Sequence, residues 1–445
     1  MIFRDFFRRS CVFLHKIKRI SLFCLTFAFI SVIVYTVILY YRVLIYISPG
    51  VIRLKVMQIL KTSVGALWAY RQIRCLTQLG VDVVVVLPND TEAMAVRYKD
   101  LPVTIETADL TLPLSRPWLL KPRMQMLRAL VDKHKPDLIH FHFVSNILLG
   151  RLALKKVDIP RVFQVPGPLH LENPITRCAE LMLSDKNDYW IGSCRKTCNI
   201  YKKYHIPSHH LFLSFYGGDV EEITSRAAKC DGRLRNEFQI PKTAEVVGMV
   251  CYFYKPKYHM LQFRGLKGHE DFIDAFALLK KERPELYGII VGGPWGNAEK
   301  YFEKMKKYAQ RKVGNSLIFT GYRSDIYEIY PELDVVAHPS LSENLGGAAE
   351  SLLIGVPTVT TNIGGFPDIV IDGETGYTVP AKNPKALADA MLRLLKDKEK
   401  TKQMAENSVK LMTKVIDVNN TAKEVFHIYE AVLSDFSPNE SEAKA

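Results

Sequence analysis

Several familiar signatures are missing from this chain. It has no Gly-x-Gly-x-x-Gly, which argues against a nicotinamide or flavin dehydrogenase. It has no Gly-x-x-x-x-Gly-Lys-Ser/Thr, which argues against a P-loop ATPase. An Asp-x-Asp pair, a common divalent-cation holder, is also absent. Cysteine is sparse: eight residues, at 11, 24, 75, 178, 194, 198, 230 and 251. Cys194 and Cys198 lie close, but no second pair faces them as a zinc site needs. Reduced thiols in ordinary packing are expected, which favours a cytosolic catalytic part. No basic motif interleaved with aromatics stands out, so nucleic acid is not expected as a partner.

What is present bounds the answer further. The 445 residues suggest two or three domains, and 48% hydrophobic content suffices for large cores. A net charge of +14 and a pI near 9.2 fit an anionic partner such as a nucleotide or lipid head group. Residues 1–20 form a basic segment with Arg4, Arg8, Arg9, Lys16, Lys18 and Arg19. Residues 21–41 then run without a charge and are long enough to span hydrocarbon. A cleaved signal peptide fits less well, because the run is long and no small-residue cleavage site follows. Arg42, Arg53, Lys55 and Lys61 lie beyond it, so charge asymmetry votes weakly for a cytosolic N-terminus. Both a single span and a monotopic anchor remain open.

Beyond the anchor, strand and helix patterns alternate. Residues 54–60 (LKVMQIL), 81–87 (VDVVVVL) and 137–141 (DLIHF) read as buried strands. Such apolar, β-branched runs suit a parallel sheet covered on both faces. Helical patterns at 66–79 and 124–134 intervene. A second series starts at Val246 and continues at 288–291, 317–320, 333–337 and 358–360. Two series imply two Rossmann-like domains facing a cleft, at 54–215 and 216–434, joined near Tyr216-Gly-Gly-Asp219. Asn383-Pro384 caps a helix with Leu387, Ala390, Met391 and Leu394 on one face. Residues 435–445 are a polar tail.

The most specific block is Ser340-Leu-Ser-Glu343-Asn-Leu-Gly346-Gly347-Ala-Ala-Glu350, followed by Gly355-Val-Pro357 and Gly364-Gly365. It leads from a strand through a polar loop into a helix that opens on glycines. Glycines admit close backbone approach, and a helix start offers unpaired N–H groups to an anion. Glu350, a turn inside, could reach a ribose diol. A glycine-containing loop before a core helix is the plain alternative.

The block from Ser340 to Gly376 resembles the donor-site signature of GT-B glycosyltransferases of family 4. These are retaining enzymes that move a sugar from a nucleotide sugar. The resemblance implies an α/β fold of two Rossmann-like domains (GT-B), and it covers most of the chain from Leu54 onward. It implies donor contacts from Asn344, Leu345, Gly346, Gly347 and Glu350. Glu343 stands one residue out of step with the family spacing, with Ser342 on the usual position. Gly65 matches a family Gly-Gly turn whose second member here is Ala66; a plain strand–helix turn fits equally. His142 matches a histidine that contacts the transferred sugar, whereas a lone strand-end histidine is more often structural. His140 shares its strand face. Lys267 matches the family's phosphate lysine. Tyr252 stands where an arginine is expected, and Arg264, after an insertion at 255–263, is its candidate replacement. Surface charge is the alternative for both cations. Ser324 and Asp325 are candidate base contacts. His170 and Glu172, in the loop after Val165-Pro-Gly167, are candidate acceptor contacts or solvated turn residues.

The combined expectation is a membrane-anchored retaining glycosyltransferase with its catalytic part in the cytosol, where nucleotide sugars are made. It takes a nucleotide sugar as substrate, a glycan or lipid-linked acceptor, no cofactor and no metal. His142, Lys267, Arg264 and Glu343 are its catalytic candidates. An epimerase of the same fold and an inactive partner in a glycan-synthesis complex are the alternatives.

Overall fold

The computed structural model describes residues 54–256 and 263–436. The expected anchor at 21–41, the basic segment before it, nearly all of the tail and positions 257–262 of the insertion lie outside the described residues. Among the described residues no helix is long and apolar enough to cross a membrane.

Seven parallel strands form the first sheet: β1 (Lys55–Ile59), β2 (Asp82–Leu87), β3 (Val103–Thr107), β4 (Leu138–Phe141), β5 (Arg161–Val165), β6 (Asp188–Gly192) and β7 (Leu211–Leu213). Their spatial order is β3-β2-β1-β4-β5-β6-β7. The second sheet holds β8 (Val246–Val250), β9 (Tyr287–Val291), β10 (Leu317–Gly321), β11 (Val335–His338), β12 (Thr358–Thr361) and β13 (Tyr377–Val379), ordered β10-β9-β8-β11-β12-β13. Every strand pairing is parallel. The central strands are buried on both faces because helices cover each side, which is why they read as unbroken apolar runs. In each sheet the order reverses beside the first strand, between β1 and β4 and between β8 and β11. Loops at the carboxyl ends of those strands diverge and leave a crevice.

The helix Pro384–Lys396 begins as its sequence indicates. The Asn383 side chain accepts the Ala386 N–H at 3.0 Å, and Leu387, Ala390, Met391 and Leu394 are buried. The last helix, Val418–Asp435, follows the second series in sequence but packs on the first sheet. Its Val425, Tyr429 and Val432 share a core with Val56, Val83 and Val162. The chain therefore crosses between the halves twice. The crossings run side by side: Gly218 donates to Ile416 O at 2.7 Å, and Val418 donates back to Gly218 O at 3.0 Å. A Cβ on Gly217 would lie 2.4 Å from the Val418 Cα, so this hinge tolerates no side chain there.

Candidate active site

The strand β8 runs past its sheet end as Cys251, Tyr252, Phe253 and Tyr254. It stays paired with the chain leaving β9: Phe253 donates to Gly293 O at 3.0 Å, and Trp295 donates to Phe253 O at 3.0 Å. The alternation of an extended chain sends Phe253 into the core and Tyr252 and Tyr254 to the other side. There they line a cavity of about 220 Å³ with Lys267, Gly292, Tyr322, Arg323, Gly347 and Glu350.

Lys267 reaches this cavity from the turn before the helix His269–Glu282. The turn depends on Gly268, which has φ +75° and whose Cβ would lie 2.0 Å from the Pro339 carbonyl oxygen. The Lys267 ammonium pairs with the Glu343 carboxylate and sits 5.7 Å from the centroid of the Tyr254 ring. Burial pulls this ammonium down, but Glu343 and Tyr254 outweigh it and hold it above the usual lysine range. Lys267 therefore stays charged. Cys251 lies behind it. Burial, only partly offset by Lys267, pushes this thiol up to about 12, so it is neutral and a poor nucleophile at physiological pH.

The helix Gly346–Ile354 opens toward the cavity. Its N-cap, Leu345, provides no side-chain hydrogen bond. Gly346 has φ +50°, and a Cβ there would press within 2.9 Å of the Glu343 carboxyl carbon. Glu350 follows one turn later. Burial pushes its carboxyl up to about 6, with Arg71 and the Tyr327 and Tyr330 hydroxyls working in the opposite direction. Tyr327 donates to Glu350 at 3.4 Å. Arg71, on the helix Leu67–Gln78 of the first half, donates to the Tyr327 hydroxyl at 3.3 Å and to Glu222 at 2.9 Å.

The sequence candidates fall into three groups. Lys267, Gly347 and Glu350 share the cavity, and Glu343 joins them through Lys267. Gly346 begins the helix beside them, while Leu345 is buried in the core and Asn344 beneath the loop. Gly65 approaches from the first half, where its Cβ position lies 3.5 Å from the Trp295 ring. Ala66 takes the left-handed backbone expected of a glycine, with φ +70°.

The remaining candidates lie elsewhere. Arg264 pairs with Asp271 at the start of its own helix and does not line the cavity. A carboxylate three positions from Gly268 holds it more cheaply than an extended reach to phosphate. Ser324 and Asp325 border a depression that adjoins the cavity at Tyr322 and Arg323, and Asp325 is taken by Arg323 at 2.7 Å. His142 is fully buried: its Nε2 lies 2.7 Å from Gln58 Oε1 and its Nδ1 2.9 Å from the Tyr216 hydroxyl. The Trp68 ring lies 5.7 Å away. Burial pushes the imidazole down to about 3, so it is neutral and both nitrogens are engaged. His170 is likewise turned inward, 3.1 Å from the Tyr201 hydroxyl, while Glu172 is exposed. The loop carrying them meets the donor block through Gly167, whose Cβ position is 3.1 Å from the Asn344 nitrogen.

Tyr254, Trp295, Tyr322, Arg71 and Tyr327 are site residues that sequence reasoning missed. Tyr254 was legible in principle, because it alternates with Tyr252. The others converge from separate elements and share no local pattern.

Known proteins resemble this chain in sequence and fold. Residues 66–212 match the model of Glycosyltransferase Family 4, and residues 258–411 match that of Glycosyl transferases group 1. A D-inositol 3-phosphate glycosyltransferase of Corynebacterium urealyticum is 27% identical over 317 residues, covering 66% of this chain and 72% of the relative. A lipopolysaccharide core biosynthesis mannosyltransferase of Rhizobium meliloti is 29% identical over 175 residues, covering 38% of this chain and 50% of that one. Among solved structures, HepE of Anabaena in complex with UDP superposes with a TM-score of 0.69 at 20% identity, covering 85% of this chain and all of that one. The chain belongs to the GT-B, family 4-like glycosyltransferases. Its activity is sugar transfer from a nucleotide sugar.

Proposed function

We propose that this chain is a membrane-anchored, retaining and metal-independent glycosyltransferase acting on a glycan or lipid-linked acceptor from the cytosolic side. The observation that carries the reading is the convergence of Lys267, the start of the helix Gly346–Ile354 and Glu350 on one cavity. A nucleoside diphosphate sugar needs a cation and N–H donors for its phosphates and a carboxylate for its ribose hydroxyls. All three are present.

Negative charge gathers on the diphosphate as the sugar bond breaks. The Lys267 ammonium and the helix end meet that charge where it develops. Retention follows if the acceptor attacks from the face the diphosphate leaves, and no protein nucleophile is then required. Lys267 and the helix end do the work that an Asp-x-Asp-bound metal would do elsewhere. The uncharged run at 21–41 supports the anchor, and the cytosolic origin of nucleotide sugars supports the topology.

The test uses the full chain in detergent with a panel of nucleotide sugars, a lipid-linked acceptor extract and a chelator. Release of nucleoside diphosphate that persists in chelator is expected. Activity lost in chelator and restored by manganese would overturn metal independence. Epimerised donor without transfer would replace the reading with an epimerase. Deletion of residues 1–53 should free the protein from the membrane fraction; retention there would remove the anchor. Protease added to sealed right-side-out vesicles should spare the catalytic part, and digestion would reverse the topology.

A further inference from the structure

Two histidines and a carboxylate, far apart in sequence, meet on the first half of the protein, away from every group of the donor cavity. Among the described residues, the ligand atoms of His209, His210 and Asp435 lie within 4.8 Å of one another. His209 and His210 belong to the short turn of 3-10 helix Ser208–His210, which leads into β7. Three residues per turn set neighbouring side chains about 120° apart, rather than opposite as on a strand. The two ring centroids are accordingly only 4.5 Å apart. Asp435 closes the last helix, where the Phe436 N–H still donates to Val432 O at 2.9 Å.

His210 has the surroundings of a metal ligand. Its Nδ1 lies 2.9 Å from the Asp188 carbonyl oxygen. A carbonyl only accepts, so Nδ1 carries the proton, and Nε2 of the neutral ring is left with a bare lone pair. That nitrogen lies 3.4 Å from Asp435 Oδ2, which has no proton to offer and already accepts from the Tyr189 hydroxyl at 2.9 Å. The imidazole is held in place, stacked on the Tyr189 ring with centroids 4.3 Å apart and planes 23° apart. Two acceptors therefore face each other, and a positive charge between them satisfies both.

The spacing and the ligand atoms select the ion. Metal–ligand distances of about 2.0–2.2 Å at tetrahedral angles put ligand atoms about 3.3–3.6 Å apart. The 3.4 Å between His210 and Asp435 is such an edge. Imidazole nitrogens suit Zn²⁺, whereas Mg²⁺ and Ca²⁺ favour oxygen alone. A ring N–H donated to a backbone carbonyl is the usual support of a metal-bound histidine. His209 is exposed, so its ring can turn to become the third ligand.

We propose that His209, His210 and Asp435 form a zinc site that clips the end of the last helix to the first sheet. The site lies at the amino ends of β6 and β7, which begin at Asp188 and Leu211. The donor cavity lies beyond the carboxyl end of β8 in the other half, so this ion holds structure and takes no part in sugar transfer. It fastens a helix that follows the second half in sequence but packs on the first.

The test uses the full chain in detergent, purified without a polyhistidine tag and stripped with chelator, with ZnCl₂ alone as the probe. Calorimetry should find a zinc ion bound by the parent, and zinc should raise its thermal midpoint while MgCl₂ does not. His209→Ala removes an exposed ring, and Asp435→Asn keeps an oxygen for Tyr189 to donate to. Each should weaken zinc by about tenfold or more and lose the thermal shift, with nucleoside diphosphate release unchanged. In chelator both variants should melt close to the stripped parent, which separates a lost ligand from a lost fold. A parent that binds no zinc would overturn the site and leave a proton as the charge between His210 and Asp435. Zinc binding that survives both substitutions would place the ion elsewhere, for instance on the thiols, and would overturn it equally.

Discussion

Lys267 enters the cavity already paired with Glu343. This cation, which shares the cavity with the start of the glycine-opened helix, therefore carries a neutralising carboxylate. A diphosphate must displace or share that partner before it gains the full charge of the ammonium. Glu343 is thus placed to hold Lys267 in position and to yield it to the donor.

Two substitutions separate these effects. Lys267→Ala should lower kcat by about a hundredfold or more, as expected when a group that meets transition-state charge is lost. Glu343→Gln should bind a nucleoside diphosphate more tightly than the parent, because the phosphate no longer competes for the ammonium. Its kcat should nonetheless fall, since Lys267 loses its positioning partner. Weaker diphosphate binding in Glu343→Gln, measured by calorimetry, would show that the pair does not compete with donor.

Glu350 gives the site a pH dependence of defined sign. Its carboxyl is pushed up to about 6 from an ordinary value of 4.5, chiefly by burial. Between those values the folded protein holds a proton that the unfolded chain has released. Raising the pH through that window therefore costs stability, on the order of 1–2 kcal/mol, with the full cost present above pH 6. Donor affinity should move the other way and strengthen as the carboxylate forms to accept ribose hydroxyls. Glu350→Gln should flatten both profiles between pH 4.5 and 7. A parent protein whose donor affinity is level across pH 5 to 7 would take Glu350 out of the ribose site.

The turn before Lys267 offers a stability test with an internal control. Gly268 and Gly232 have nearly the same backbone, with φ +75° and +74°. A Cβ at Gly232 meets nothing within 4 Å, whereas at Gly268 it meets the Pro339 oxygen at 2.0 Å. Gly232→Ala should therefore cost only the left-handed strain, about 1–2 kcal/mol. Gly268→Ala must also move the chain, so it should cost more and lower kcat by displacing Lys267. Denaturant titrations giving equal losses for the two would mean that the Pro339 contact relaxes freely.

The legible parts of this protein were those in which one segment carries its own signal. The central strands β1, β2, β4 and β8 to β11 are apolar runs because both faces are covered. The edge strand β3 is half exposed, and β7 has three residues, so neither declares itself. Strands β5 and β6 begin with Arg161 and Asp188, which look like loop residues until they are seen paired at 3.0 Å in the interior. Within the site, the Glu343 to Glu350 block and Lys267 were readable because each lies on one turn or helix. Arg264 was not, because its choice between phosphate and Asp271 depends on the first turn of the following helix. The partners of His142 come from β1 and the hinge, far away in sequence.

Arg71 links the two halves at the donor carboxylate. It belongs to the first half yet donates to Tyr327 and Glu222 of the second, and Tyr327 in turn donates to Glu350. Its guanidinium also lowers the Glu350 carboxyl against the effect of burial. Among the described residues Arg71, Tyr327, Tyr330, Tyr252 and Glu222 act on Glu350, and Arg71 is the cation that lowers its carboxyl, while Lys267 and Arg323 line the same cavity. Arg71→Met removes that guanidinium and leaves the other groups. The midpoint of donor affinity against pH should then move upward from about 6, with affinity at pH 8 little changed. Tyr327→Phe, which removes the hydroxyl that donates to Glu350 and accepts from Arg71 but no charge, should move it less in the same direction. Arg71→Lys should restore part of the shift. A purely structural Arg71 would instead lower thermal stability and leave the pH midpoint where it was, and that result would break the link between the halves.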